Sequence, residues 1–138
     1  RIEGPYGQFK AQGGEGRKQV WIAGGVGITP FLALLEARQR ATAEGPSAPV
    51  CMHYCTRDAA SDGVLPRVQA LAASAQPPIP LQVHDAARKQ YLCPEDLLRH
   101  QGPLEIWLCG PVGLGDMVRT HARQQNGWRV HQEAFEMR

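Results

Sequence analysis

A glycine-rich turn between an apolar run and a helical pattern most limits what this sequence can fold into. Residues 19–23 (QVWIA) form a short apolar run that stops at a glycine cluster, and apolar residues then recur at helical spacing over residues 30–43. This order predicts a strand, a glycine turn and a helix. At such a turn the backbone N–H groups can approach an anion closely, and the helix dipole favours negative charge. We therefore predict a phosphate site at this turn.

The same alternation of apolar runs and helical patterns continues to the end of the chain. Further strands are predicted at residues 49–55, 79–84, 104–109 and 128–132, and further helices at residues 64–75, 94–100 and 112–125. Strands separated by helices pair in parallel with right-handed crossovers. We therefore predict an α/β fold with a doubly wound, open parallel sheet of about five strands and flanking helices, in which a ligand binds beyond the carboxyl ends of the strands.

The glycine spacing is not the standard dinucleotide fingerprint. Gly24, Gly25 and Gly27 follow a Gly-Gly-x-Gly order, whereas the fingerprint reads Gly-x-Gly-x-x-Gly. In addition, no acidic residue ends the second predicted strand to bind a ribose. The turn could therefore need its glycines only for their dihedral angles. On the glycine pattern alone, a phosphate site and a plain tight turn both stay open.

Length, composition and charge exclude several classes of protein. At 138 residues the chain fits one domain of ordinary size. No apolar run approaches the roughly 20 residues that a membrane-spanning helix needs. The net charge is +2 with basic and acidic residues interspersed, so no patch indicates a nucleic-acid partner. The chain begins at Arg1 inside a Gly-Pro-rich segment, which indicates a fragment of a longer protein.

Cysteine and histidine give no sign of a disulfide framework, a metal centre or a hydrolytic triad. The four cysteines are too few for a disulfide scaffold, which favours a reducing compartment. Cys51, His53 and Cys55 alternate onto one face of a predicted strand, but they lack the paired Cys-x-x-Cys spacing, and a buried parallel strand would carry them as core. The other histidines have no partnered Ser or Cys. We predict no metal site.

Four motifs in order resemble those of the ferredoxin-NADP reductase superfamily. They are GPYGQF at residues 4–9, AGGVGITP at residues 23–30, LCGP at residues 108–111 with Met117 downstream, and EAF at residues 133–135. The resemblance is to the NAD(P)-binding domain of that superfamily and spans essentially the whole chain. Within the superfamily, HYCTRD at residues 53–58 and the closing EAFEMR are most similar to bacterial ferric-reductase-like flavoproteins, relatives of the NADPH oxidases.

The resemblance implies a flavoprotein of which this chain is one part. Residues 1–18 would be the linker and the start of the domain, and residues 19–138 the NAD(P)-binding domain. NADPH or NADH would bind here, and its hydride would pass to FAD held mainly by an FAD-binding domain of the same polypeptide. Electrons would then leave for a transmembrane haem domain or a ferredoxin. The ferric-reductase resemblance further implies the cytoplasmic side of a parent protein in the inner membrane.

Two alternative functions stay open beside the membrane ferric-reductase-like flavoprotein. One is the reductase component of a soluble oxygenase or ferredoxin system, and the other is a dinucleotide-binding module without redox chemistry. The sequence upstream of Arg1 would separate the membrane protein from the soluble reductase, because only the former needs intramembrane helices with haem-ligating histidines.

The resemblance also implies roles for individual residues. The pyrophosphate would lie on the turn formed by Gly24, Gly25, Val26, Gly27, Ile28, Thr29 and Pro30. Cys109, followed by Gly110 and Pro111, would lie beside the nicotinamide ring, although cysteine is also a common core residue. Thr29 would touch the nicotinamide region or, as an alternative, cap the helix. Phe135 would cover the flavin face and move for the nicotinamide to enter, or else fill the core.

Thr56 and Arg57 follow the second predicted strand, where the adenosine end of a dinucleotide would lie. The guanidinium of Arg57 could bind the 2′-phosphate of NADPH through its bidentate fork, with help from Thr56 and Arg67. NADH-using relatives also carry an arginine there, so Arg57 does not decide between the two cofactors. The lack of an acid at the end of this strand slightly favours NADPH.

Overall fold

A five-stranded parallel sheet forms the centre of the molecule. The computed structural model describes residues 18–40, 49–75, 77–100 and 102–133. The strands are β1 (Lys18–Gly24), β2 (Val50–Thr56), β3 (Leu81–Asp85), β4 (Leu104–Cys109) and β5 (Trp128–Glu133). They lie in the order β3-β2-β1-β4-β5, and every neighbouring pair is parallel. The predicted fold class is confirmed.

Helices follow the first four strands. They are α1 (Thr29–Arg40), α2 (Leu65–Ser74), α3 (Pro94–Leu98) and α4 (Val112–Ala122). The end of α4 falls at Ala122 rather than at residue 125, because Gln124 and Gln125 donate their backbone N–H groups to carbonyls three residues earlier, which tightens the last turn. Within the described segments, no helix is long and apolar enough to span a bilayer.

Both faces of the sheet are buried, as a parallel sheet with helices on each side requires. In β1, Trp21 and Ala23 belong to the core under α1 and α2, whereas Val20 and Ile22 belong to the core under α3 and α4. This alternation follows from the two-residue period of a strand. A strand that is buried on both faces reads as a continuous apolar run, which is the pattern that predicted β1.

The strand order reverses at β1, and this reversal positions the candidate site. The chain leaves β1 toward α1 on one face of the sheet, and it leaves β4 toward α4 on the other face. The two connections therefore diverge from neighbouring strands. A crevice opens between them at the carboxyl ends, which is where open α/β sheets bind their ligands.

Candidate functional site

A cavity of about 450 Å³ lies at this carboxyl edge of the sheet. Its walls come from the segments that follow β1, β2, β3 and β4. The predicted site residues that line it are Gly24, Gly25, Thr56, Arg57 and Pro111. Residues that the sequence did not single out for this site complete the walls; they include Cys55, His84, Tyr91, Leu92 and Leu114. The structure therefore brings together predicted residues from three separate parts of the chain.

The three glycines of the turn after β1 are needed for three different reasons. Gly25 has φ +56, a left-handed conformation, and a Cβ built on it would meet nothing within 4 Å. A Cβ on Gly24 would lie 3.0 Å from the side chains of Leu114 and Pro111. A Cβ on Gly27 would overlap the backbone carbonyl of Cys109. Gly25 alone combines a conformational need for glycine with an open approach to the backbone.

The rest of the turn is divided between surface and core. Val26 and Thr29 are exposed, while Gly27, Ile28 and Pro30 are buried beneath them. The hydroxyl of Thr29 donates to the carbonyl of Val26 at 3.1 Å, so it does not act as a conventional cap that accepts a backbone N–H. Its contact with nicotinamide stays a prediction.

The carboxylate of Asp62, which was not predicted to lie here, reaches the end of β2. The hydroxyls of Tyr54 and Thr56 each donate to Oδ2 of Asp62 at 2.6 Å, and Oδ1 of Asp62 accepts the backbone N–H groups of Val64 and Leu65. Burial alone would raise the pKa of Asp62, but these hydrogen bonds lower it overall. An acid therefore does lie beside the end of β2, supplied by the following loop. These hydrogen bonds occupy both carboxylate oxygens of Asp62, which is not among the residues that line the cavity. The expected lack of a ribose-binding acid at this strand end, and the slight preference for NADPH, therefore stay predictions.

The two arginines considered for a 2′-phosphate occupy different places. Arg57 is exposed and lines the cavity next to Thr56. Arg67, on α2, forms an ion pair with Glu36 of α1 instead and is not among the residues that line the cavity. Arg57 therefore lies at the cavity, and Arg67 lies in a contact between α1 and α2.

The segment after β4 joins the site through its backbone. Cys109 is fully buried and belongs to the core under α1 and α2, and it is not among the cavity-lining residues. Gly110 packs against the backbone of Gly24, and Pro111 reaches the cavity wall. The contact of Cys109 with nicotinamide stays a prediction. Phe135 and the GPYGQF segment at residues 4–9 lie outside the described residues.

Three histidines form a hydrogen-bonded chain behind the cavity wall. Nδ1 of His53 on β2 lies 3.0 Å from Nε2 of His84 on β3, and Nε2 of His53 lies 3.2 Å from Nε2 of His100 after α3. Burial lowers the pKa of His53 to about 4, with the two neighbouring rings acting in the same direction. Burial also lowers the pKa of His84 and of His100. All three rings are therefore neutral at pH 7.

His53 is a core residue, as predicted, but its contacts with His84 and His100 were not predicted. His53 and His84 lie on neighbouring strands and on the same face of the sheet. No strand order was predicted, so the sequence did not indicate this contact. His53 presents a different nitrogen to each partner, so the three rings do not converge on one point. Within the described segments no group of three or more ligands is arranged to hold a metal ion.

Comparison with known proteins links the chain to reductases. No family model matches it. A vanillate O-demethylase oxidoreductase from Pseudomonas putida is 33% identical over 141 residues, which cover 98% of this chain and 41% of that protein. The chain thus spans about two fifths of the length of this relative.

Solved structures share the fold at lower sequence identity. The cytochrome b5 reductase domain of Ulva prolifera nitrate reductase superposes with a TM-score of 0.63 at 17% identity, over 84% of this chain and 50% of that one. The flavohem-like FAD/NAD-binding domain of nitric oxide dioxygenase from Vibrio cholerae O1 biovar El Tor gives 0.61 at 24% identity, over 86% and 51%. A flavohemoglobin from Malassezia yamatoensis with bound FAD and heme gives 0.65 at 16% identity, over 88% and 33%. These likenesses establish the fold.

Proposed function

We propose that this chain, which has the fold of the NAD(P)-binding domain of the ferredoxin-NADP reductase superfamily, is the part of a flavin-dependent oxidoreductase that binds NAD(P)H. The observation that carries the proposal is the cavity at the carboxyl edge of the sheet, where the open, left-handed Gly25 and the exposed Arg57 line one space. The bound NAD(P)H reduces FAD on the FAD-binding domain of the same polypeptide.

The residues of this chain bind and position the dinucleotide, because hydride transfer is chemistry of the nicotinamide and the flavin. The pyrophosphate lies on the turn after β1, where the missing side chain of Gly25 lets phosphate oxygens reach the backbone. Arg57 binds the adenosine end. Cys109 lies near the nicotinamide, since it ends β4 against Gly27, and Phe135 covers the flavin face.

For the parent protein, we favour the reductase component of an oxygenase system. The supporting observation is the 33% identity with the Pseudomonas putida vanillate O-demethylase oxidoreductase. A membrane ferric-reductase-like protein, with a transmembrane haem domain as acceptor, is supported only by the HYCTRD and EAFEMR motifs. The two proposals differ in where the electrons go after FAD.

Stopped-flow absorbance on the intact parent protein, reconstituted with FAD, tests both the reduction of FAD by NAD(P)H and the identity of the parent protein. We expect the flavin absorbance to bleach on mixing with NADH or NADPH, and to recover on adding a ferredoxin or the oxygenase component. A flavin that stays oxidised at saturating dinucleotide would leave only the non-redox binding module. Rapid reduction of a haem within the same polypeptide would favour the ferric-reductase-like protein.

Replacing Gly25 by valine is expected to weaken dinucleotide binding by about tenfold or more, because valine is strained at positive φ and its side chain fills the approach to the backbone. Isothermal titration calorimetry with NADH and NADPH measures the loss. Gly102→Val is the matched control, since Gly102 also has positive φ and open space around it but does not line the cavity. Equal affinity in the two variants would remove the phosphate site from this turn.

Arg57→Ala is expected to weaken NADPH more than NADH, by about tenfold in the ratio of the two dissociation constants, because a charged hydrogen bond to the 2′-phosphate is lost. Titration of each cofactor into the wild-type chain and the variant gives this ratio. Arg67→Ala serves as the control, because Arg67 pairs with Glu36 outside the cavity. If Arg57→Ala weakens both cofactors equally, its role at the 2′-phosphate is wrong.

A further inference from the structure

The histidine chain, defined as His84, His53 and His100 in this order, runs from the cavity to a half-buried position after α3. His53 and His84 are buried, and His84 lines the cavity in which the dinucleotide is proposed to bind. His100 lies at the other end and is only partly buried. The histidine chain is therefore a continuous polar connection through the core, from the cavity wall at His84 to the partly buried ring of His100.

The hydrogen positions in the neutral chain follow from its contacts. Each contact between two ring nitrogens holds one proton, because an N–H must face a lone pair. We infer that the backbone of Tyr91, which raises the pKa of His84, faces an N–H of that ring. Nε2 of His84 faces His53, so we assign that proton to Nδ1. With one proton on each neutral ring, Nδ1 of His53 then donates to His84, and Nε2 of His100 donates to His53.

A fourth proton fits this arrangement and a fifth does not. The fourth enters at Nδ1 of His100, which makes no hydrogen bond to the residues that the structure describes. If the proton in each contact then shifts to the neighbouring ring, the positive charge moves from His100 through His53 to His84, and both contacts keep one proton. A fifth proton would set two N–H groups against each other in one contact. The chain therefore holds three or four protons.

The charged groups around the histidine chain come from several elements. Asp96 of α3 favours a proton on the chain, whereas Arg99 at the end of α3 and Lys18 of β1 oppose it. The Cys55 thiol on β2 stays neutral, because burial raises its pKa to about 12. A phosphate-bearing ligand adds negative charge on the cavity side of His84, and negative charge nearby stabilises an imidazolium. Ligand binding therefore favours the histidine chain with four protons over the chain with three.

We propose that the histidine chain takes up one proton when a dinucleotide occupies the cavity, and that this proton places a positive charge on His84 beside the anionic ligand. The inference rests on the proposed function and adds a pH-dependent source of affinity to it. Dinucleotide binding consequently tightens as the pH falls from 8 toward 6, in a range where the pyrophosphate itself does not titrate.

Calorimetry with NADH and with ADP-ribose tests the proposal, since neither ligand has a phosphate that titrates near neutral pH. Titrations in two buffers with different ionisation enthalpies give the number of protons bound. We expect uptake to approach ~1 proton per ligand at pH 6 and to be much smaller at pH 8. His53→Phe interrupts the histidine chain. His53→Gln keeps a hydrogen-bond donor and acceptor between His84 and His100 but has no titrating ring. Both variants lose the uptake, whereas the control His121→Gln on α4 keeps it.

The outcomes separate this inference from the proposed function. Binding without proton uptake, or equal uptake in the wild-type chain and both His53 variants, overturns the inference and leaves the dinucleotide site in place. Failure of both ligands to bind overturns both proposals. Nitrogen-15 NMR of the free chain gives an independent check, because the assigned hydrogen bonds place Nδ1–H on His53 and His84 and Nε2–H on His100. Any other set of tautomers contradicts it.

Discussion

Lowering the pH from about 6.5 to about 4 is expected to reduce the free energy of unfolding by about 3 kcal/mol through His53 alone. Burial, together with the neighbouring rings, lowers the pKa of His53 from 6.5 in the unfolded chain to about 4 in the folded one. Between these values the unfolded chain binds a proton that the folded chain does not. The stability is therefore fully present above pH 6.5 and is lost as the pH falls. His84 and His100 act in the same direction, since burial lowers the pKa of both.

Urea unfolding at several pH values between 7 and 4.5 measures this loss. In His53→Leu the dependence on pH should be visibly shallower, because the most strongly shifted group is gone. His121→Gln should keep the wild-type dependence, since it removes a histidine outside the chain. A wild-type stability that is flat between pH 7 and pH 4.5 would mean that the three rings are not held neutral by burial.

Gly27→Ala is expected to lower the free energy of unfolding by about 3 kcal/mol, because the new methyl group would overlap the Cys109 carbonyl and lie 2.9 Å from the backbone nitrogen of Gly110. These neighbours are backbone atoms at the end of β4, which pairs with β1 in the centre of the sheet, so they cannot move aside as a flexible side chain would. The midpoint of urea unfolding at pH 7 measures the effect.

Gly113→Ala provides a control of opposite sign. Gly113 lies in α4 and a Cβ there would meet nothing within 4 Å, so alanine should raise stability by about 0.5–1 kcal/mol through helix propensity. If Gly27→Ala and Gly113→Ala change stability alike, the tight contact between the turns after β1 and β4 does not exist in solution.

The elements of the fold were predictable because each carries its own local period. β4 was predicted at its observed bounds, since the run LEIWLC is buried on both faces and ends at a Gly-Pro turn. Helix ends were less predictable. The sequence of α4 continues with polar residues compatible with a helix, and only the three-residue hydrogen bonds after Ala122 mark the point at which the helix ends.

The candidate site was predictable where it depends on backbone position and not where it depends on side-chain contacts across strands. Gly25, Arg57 and Pro111 follow directly from where strands end, and the structure brings them to one cavity. Asp62 and the histidine chain could not be derived in this way. Asp62 reaches Thr56 only because the loop after β2 folds back, and His53 meets His84 only in the observed register of β2 and β3.

The packing of Gly27 on the Cys109 carbonyl makes the turns after β1 and β4 a single unit for protein engineering. A turn grafted after β1 from another protein of this fold would place its own backbone against an unchanged segment 109–111, and a mismatch there would separate two paired strands. Chimeras that exchange one of these turns should therefore take both from the same donor.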